Sequence, residues 1–254
     1  MPDFRLDGQR ALVTGGSRGI GLGLARGLAE AGASLVLTAR TGKELDAAKA
    51  ELTPLGVDVQ TIPFDMAQAK AIPDFFSDVV HRFGEIDILI NNAGMSRRGP
   101  AHELSLDDFQ AVLDLNLTSV FALSQAFARQ RIASKKGGRI INVGSLMCQS
   151  ARAGTSPYGA TKGGILILTK AFAMDWAPYG ILVNAIGPGY IETPLTAPLK
   201  ANPEFDAWVT DKCPLGRWGT PADLAGAVVL LASPAGGFIT GQIIYIDGGW
   251  LAKI

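Results

Sequence analysis

The chain has 254 residues, 48% of them hydrophobic and 18% charged, and its 23 Lys and Arg balance its 23 Asp and Glu. That length can bury a full core in one α/β domain, and the balanced charge argues against a nucleic-acid partner, which needs a basic surplus. The start MPDFRLDGQR has no apolar core of a signal peptide, no run nears the ~18 uninterrupted apolar residues of a membrane helix, and Cys148 and Cys213 have no metal or disulfide spacing. The expectation is a cytoplasmic protein acting on a small molecule, with no membrane, nucleic-acid or metal partner.

Short apolar runs alternate with longer helical patterns along the chain. ALVTG (11–15) leads into a helix over 20–31, and SLVLTA (34–39) into one over 43–52. VDVQTI (57–62) precedes a helix over 67–83, and IDILIN (86–91) one over 105–130. GRIINVG (138–144) precedes 158–177, ILVNAI (181–186) runs into irregular chain and helix, and GQIIYID (241–247) closes the series. The early strands are apolar at nearly every position, as in a parallel sheet covered on both faces. Strand–helix alternation predicts one doubly wound α/β domain over 1–254. The Pro-rich segment 187–220 has few apolar positions in helical register and reads as a substrate loop or lid, with a helix near 205–209.

The first strand enters Thr14-Gly15-Gly16-Ser17-Arg18-Gly19-Ile20-Gly21 and a helix follows. Glycine permits a tight turn and close approach of backbone to a phosphate, and the helix start turns free N–H groups toward an anion. The same glycines would also serve a plain tight turn, and the strand–turn–helix context favours a dinucleotide. The second strand ends at Ala39-Arg40, where an NAD site would carry Asp or Glu for the ribose 2′-hydroxyl. With Arg18 in the loop, Arg40 makes a second guanidinium suited to a 2′-phosphate, so NADP(H) is favoured and NAD(H) remains open.

Tyr158 and Lys162 stand at i and i+4, one turn apart on a shared helix face. A cation near a phenol favours the phenolate, which can act as acid or base toward an alcohol or ketone. Ser145 lies just past GRIINVG, at the carboxyl end of a strand, where open α/β sheets bind ligands. Asn116 falls within a predicted helix, an awkward place for an amide without partners, and Asn91-Asn92-Ala93-Gly94 reads as a turn.

TGGSRGIG, NNAG, Asn116, Ser145 and YGATK, followed by Pro188-Gly189 and Asp247-Gly248-Gly249, together resemble the short-chain dehydrogenase/reductase family over the whole chain. The resemblance implies a seven-stranded Rossmann sheet of order 3-2-1-4-5-6-7 and an Asn–Ser–Tyr–Lys tetrad. By that resemblance Tyr158 would be the acid/base, and Lys162 would tune it and hold the nicotinamide ribose. Ser145 would polarise the substrate oxygen and Asn116 would anchor a water relaying protons to Lys162. Gly15, Ser17, Arg18, Gly19, Ile20 and Gly21 would cradle the pyrophosphate, and Asp65 and Met66 would border the adenine. Asn92, Ala93 and Gly94 would line the cleft, and Pro188, Gly189, Ile191 and Thr193 would meet the nicotinamide end. One departure is Gly144, where the family often has serine. The family's habit of self-association implies a homotetramer.

The substrate-facing stretches are similar to the gluconate 5-dehydrogenase branch, through the Arg97-Arg98 pair after NNAG, Arg152 before Tyr158, and Arg217-Trp218-Gly219. That similarity implies interconversion of D-gluconate and 5-keto-D-gluconate, with Arg97 or Arg152 meeting the carboxylate. A 3-oxoacyl-[acyl-carrier-protein] reductase would show the same tetrad. A dinucleotide-binding sensor is a third reading, disfavoured because all four tetrad residues are present. Cys148, three residues past Ser145, reads as a buried inert thiol.

Overall fold

The computed structural model describes residues 1–253. The chain runs β1 (Arg10–Thr14), α1 (Gly19–Glu30), β2 (Ser34–Ala39), α2 (Gly42–Leu52), β3 (Val59–Pro63), α3 (Ile72–Phe83) and β4 (Ile88–Asn91). Then come α4 (Leu106–Leu113), α5 (Ser119–Ala133), β5 (Gly138–Val143), α6 (Ser156–Trp176) and β6 (Ile181–Pro188). The short α7 (Ala197–Lys200), α8 (Pro203–Lys212), α9 (Pro221–Ala232) and β7 (Ile243–Ile246) finish it. The strands form one parallel sheet of order β3-β2-β1-β4-β5-β6-β7, as expected.

Alternation along β1 divides the core between the two faces of the sheet. Ala11 and Val13 join Leu24 and Leu28 of α1 and Leu224 and Val228 of α9. Leu12 turns the other way, toward Phe76 and Val79 of α3, Phe127 of α5 and Phe172 of α6. Both faces of the strand are apolar because both are covered. α1 and α9 meet closely because α1 offers hydrogen where a side chain would collide: a Cβ on Gly27 would lie 2.6 Å from the Ala225 Cβ.

Three strands begin later than their apolar runs: β3 at Val59, β4 at Ile88 and β7 at Ile243. Before β4, Asp87 keeps backbone bonds to both neighbouring strands, its N–H donating to the Arg10 carbonyl at 2.9 Å and its carbonyl accepting from the Arg139 N–H at 3.0 Å, while its carboxylate takes the Arg10 N–H and the Arg131 guanidinium, each at 2.9 Å. The helix expected over 105–130 is two helices joined by a π-turn at Asp114–Thr118. By length and mean hydropathy (1.3), Leu106–Ala133 would pass for a membrane span, yet its Leu123, Phe127 and Ala128 are core residues packed on the sheet. The 187–220 segment is also more ordered than its composition suggests. It carries α7 and α8, and in α8 Phe205, Trp208 and Val209 follow helical spacing.

Candidate active site

Three tetrad residues converge at the carboxyl ends of β4 and β5. Lys162 is buried in α6, 7% exposed, and its Nζ donates to the Val143 carbonyl at 2.6 Å. The same ammonium lies 5.4 Å from the centroid of the Tyr158 ring. Tyr158 is half-buried, and its carbonyl accepts from the Thr161 hydroxyl at 2.8 Å. Asn116, in the π-turn, donates to that hydroxyl at 3.3 Å. It also clamps Met95, accepting from its N–H at 2.9 Å and donating to its carbonyl at 2.8 Å. This explains an amide inside a helix: its side chain is satisfied on both sides. π-turns of this kind are frequent at functional sites.

Ser145 follows β5 and caps the short turn Leu146–Cys148, its Oγ accepting from the Met147 N–H at 3.2 Å. The turn packs on α6, where the Cys148 thiol donates to the Lys162 carbonyl at 3.1 Å. Burial pushes that thiol above its ordinary range, so it is a packing group. Gly144 is explained by the same sulfur: a Cβ there would meet Cys148 Sγ and the Ile186 carbonyl, each at 3.0 Å. Beneath the site, Asn91 of β4 donates to Asn142 Oδ1 of β5 at 2.8 Å and to Ser124 Oγ at 3.0 Å, and Asn142 donates to Thr169 of α6 at 2.9 Å. These bonds join β4, β5, α5 and α6 and hold the register of the site above them.

The glycine loop has the form of an anion cradle. Gly15 and Gly19 have positive φ, 62° and 57°. A Cβ on Gly21 would lie 2.2 Å from the Gly15 carbonyl oxygen and 2.5 Å from Asn92 Nδ2. Arg18 precedes α1 without a side-chain cap, and the first turn has no acidic residue. The leading N–H groups of α1 are thus left for a ligand. Asn92 acts from behind, donating to the carbonyls of Thr14 at 2.9 Å and Gly15 at 3.2 Å, while the N–H groups of Asn92 and Ala93 bind Thr14 Oγ1. Gly94 passes over Asn116, where a Cβ would sit 3.3 Å from its Oδ1.

The other expected cleft residues surround this loop. Thr193 packs over Gly19, and Ile191 is pinned by a bridge to Gly219. Pro188 ends β6, and Gly189 passes Asp247 so closely that a Cβ would lie 2.8 Å from its Cα. Past β3, the Asp65 carboxylate caps the Ala67 N–H at 3.1 Å, while Met66 is a core residue. At the outer rim, Arg40 is exposed, but Arg18 is not free. Its Nη1 pairs with Glu44 Oε1 at 3.0 Å, and Glu44 Oε2 accepts from Ser17 Oγ at 3.2 Å. The loop's shape and donor set fit a dinucleotide pyrophosphate.

The arginines expected on the substrate side stand in different surroundings. Arg97 is 57% exposed and pairs with Asp108 at 3.4 Å, so it is held by the start of α4. Its neighbour Arg98 is the one near the site. Burial and then the charge of Arg152 hold the Arg98 guanidinium below its ordinary range, with Tyr190 and Tyr158 as its other electrostatic neighbours. Arg152 Nη1 makes a long hydrogen bond to the Tyr190 hydroxyl at 3.4 Å and lies 5.2 Å from the Phe205 ring centroid on α8. Among the described residues no carboxylate pairs with Arg98 or Arg152. Tyr190 centres an aromatic cluster with Phe205, Trp208, Trp218 and Trp250 at 4.9–5.8 Å. Burial, opposed by Arg152, pushes its hydroxyl above the usual range, so it remains a donor at neutral pH. Arg217 binds Asp223 bidentately at 2.8 and 2.9 Å at the start of α9.

Glycine loop, tetrad and sheet order thus occur together at one end of the strands. A pocket of about 440 Å³ lies at the opposite end, among Asp3, Arg5, Gln9, Asp87 and Arg139, away from the strand carboxyl ends where such sheets bind ligands. The sequence profile of the family described as "Enoyl-(Acyl carrier protein) reductase" matches residues 15–251. The chain belongs to this family of short-chain dehydrogenase/reductases. Within it, the chain is 44% identical over 249 residues to the gluconate 5-dehydrogenase of Gluconobacter oxydans, covering 98% of this chain and 97% of that one. It is 41% identical to the 2-dehydro-3-deoxy-D-gluconate 5-dehydrogenase of Escherichia coli, covering 98% of each. The crystal structure of a gluconate 5-dehydrogenase from Burkholderia cenocepacia, in complex with NADP and tartrate, superposes with a TM-score of 0.95 at 42% identity, covering 100% of this chain and 99% of that one.

Sequence reasoning missed Arg98, Tyr190 and Glu44. The Arg97-Arg98 pair left an ambiguity of one position, and in a loop nothing in the sequence fixes which side chain turns inward. Tyr190 directly follows the Pro188-Gly189 motif and could have been suspected by position. Glu44 stands about 20 residues past the glycine loop, the interval at which a ribose-binding acid is sought, but in a helix rather than at a strand end.

Proposed function

We propose that the protein is an NADP(H)-dependent oxidoreductase, with NAD(H) also accepted, of a secondary alcohol or ketone on a sugar acid such as D-gluconate/5-keto-D-gluconate. The observation that carries the substrate class is the Arg98–Arg152 pair beside Tyr158 and Tyr190, two guanidiniums with no carboxylate of their own. A substrate carboxylate would relieve their repulsion, and Arg pairs with carboxylates bidentately. The relatives named for gluconate and its 2-dehydro-3-deoxy analogue, and the NADP-bound neighbour, support the same reading.

In this mechanism the nicotinamide supplies or accepts the hydride. Ser145 donates to the substrate oxygen, where negative charge develops as a ketone is reduced. Tyr158 gives its phenolic proton to that oxygen, or takes the hydroxyl proton in the reverse direction. The Lys162 ammonium, fixed on Val143 and 5.4 Å from the Tyr158 ring centroid, keeps further N–H donors for the cofactor ribose. Arg98 and Arg152 hold the far end of the chain, turning one carbon toward the reacting centre. The 187–220 segment, with Phe205 against Arg152, acts as the lid. Exposed Ile167 and Met174 on α6 and Phe121 on α5 support self-association, read as a homotetramer, which light scattering on the purified protein tests.

The deciding experiment follows nicotinamide absorbance with D-gluconate, 2-dehydro-3-deoxy-D-gluconate, D-sorbitol and acetoacetyl thioester. Sugar acids are expected to turn over at least tenfold more efficiently than the uncharged polyol. Preference for sorbitol would overturn the carboxylate reading. Preference for the thioester would make the protein an acyl-thioester reductase.

A further inference from the structure

We infer that Glu44 sets the balance between a phosphorylated and an unphosphorylated adenosine ribose, and so lets one cleft accept both NADP(H) and NAD(H). The inference rests on the reading of the glycine loop as a dinucleotide site. β2 ends in Ala39-Arg40, without the acid that would accept from a ribose 2′-hydroxyl. The structure returns an acid to that rim by another route. Glu44 lies in the first turn of α2 and reaches back to the loop, its two oxygens on Arg18 and Ser17 at 3.0 and 3.2 Å.

Glu44 therefore has opposite effects on the two riboses. A 2′-phosphate needs the Arg18 guanidinium that Glu44 holds, and it is repelled by the Glu44 carboxylate. A 2′-hydroxyl is a donor, and a carboxylate already held at the loop is an acceptor for it. Arg40, exposed and outside any ion pair among the described residues, is available to the phosphate in both cases. Side-chain exposures of 61% for Arg18 and 39% for Glu44 make the pair weak and solvent-screened. A phosphate can displace it at a cost of only a few-fold in affinity. Glu44 thus tempers a preference for NADP(H) without abolishing it.

The test uses the whole protein without substrate, so that binding is read apart from turnover. Dissociation constants for NADPH and NADH are measured by calorimetry on wild type and Glu44→Gln. The fragments 2′,5′-ADP and 5′-ADP isolate the adenosine end. The substitution keeps the shape and removes the charge at a partly exposed site, and an unchanged Tm confirms that the fold is intact. Glu44→Gln is expected to tighten NADPH and 2′,5′-ADP by about three- to fivefold, and to loosen NADH and 5′-ADP by a similar factor. In an Arg18→Gln background the gain toward NADPH should fall by at least half, because the competed guanidinium is gone. A purely structural Glu44 would move both cofactors in the same direction or neither, and either result overturns the inference. Wild-type protein that binds neither dinucleotide overturns the reading of the loop, and this role of Glu44 with it.

Discussion

The two halves of the cleft are built from different materials. On the cofactor side, most of the surface is backbone: leading N–H groups of α1, glycines that exclude a Cβ, and Asn92 bracing carbonyls from behind. On the substrate side it is long side chains, Arg98, Arg152, Tyr190 and Phe205, brought together from loops and a short helix. Backbone surfaces tolerate almost no substitution and recognise what every dinucleotide shares. Side-chain surfaces change with one residue and recognise what distinguishes one substrate from another. The tetrad lies on the seam, with Lys162 anchored to the strand carbonyl of Val143 and Tyr158 turned toward the arginines.

Four substitutions bear on that contrast, from the largest expected effect to the smallest. Tyr158→Phe should lower kcat by about 10³, within the 10²–10⁴ range of a lost acid/base, while NADPH binding by calorimetry stays within about twofold. Loss of both would place Tyr158 in the cofactor half. Gly21→Ala should weaken NADPH binding by about 10² or more, because the new methyl meets the Gly15 carbonyl and the loop must move. Unchanged binding would mean the loop is less rigid than its contacts imply. Arg98→Gln should raise KM for a sugar acid by about tenfold or more through loss of a charge-assisted contact, whereas Arg97→Gln, already paired with Asp108, should change it less than about twofold. The reverse pattern would restore Arg97 as the substrate residue.

A fifth change lies outside both halves. Arg217 and the Thr220 N–H hold the Asp223 carboxyl well below the usual carboxylate range. A carboxyl lowered on folding stabilises the protein above its unfolded value of about 4, and that contribution is lost as pH falls through the folded value. Asp223→Asn should therefore lower Tm by only about 2 °C at pH 7, and the gap from wild type should narrow steadily from about pH 5 to pH 2. A gap that stays constant across that range would assign the effect to packing rather than charge.

Legibility in the sequence follows the same division. Strand–helix alternation and the glycine loop were readable because they depend on residue types that backbone geometry demands, such as Gly21 where no Cβ fits, whereas the sheet order and the tetrad were implied only by resemblance to the family. Which of Arg97 and Arg98 turns inward was not, since a loop has no fixed period from which to infer direction. The π-turn at Asn116 was hidden inside a continuous helical pattern, because its stabilising partners, Met95 and Thr161, are distant in sequence. The helix α8 was under-read for a similar reason: its apolar face packs on Tyr190 and Trp250, from other parts of the chain.

The aromatic cluster around Tyr190 also has an optical consequence. Three of the four tryptophans, Trp208, Trp218 and Trp250, belong to it, and the fourth, Trp176, stacks on Phe172 with ring centroids 4.1 Å apart on the far side of the core. Three of the four indole emitters therefore sit together beside Tyr190. A shift in the wavelength or intensity of their emission registers rearrangement beside Arg152 before it registers unfolding, so the chain carries its own local probe without any label.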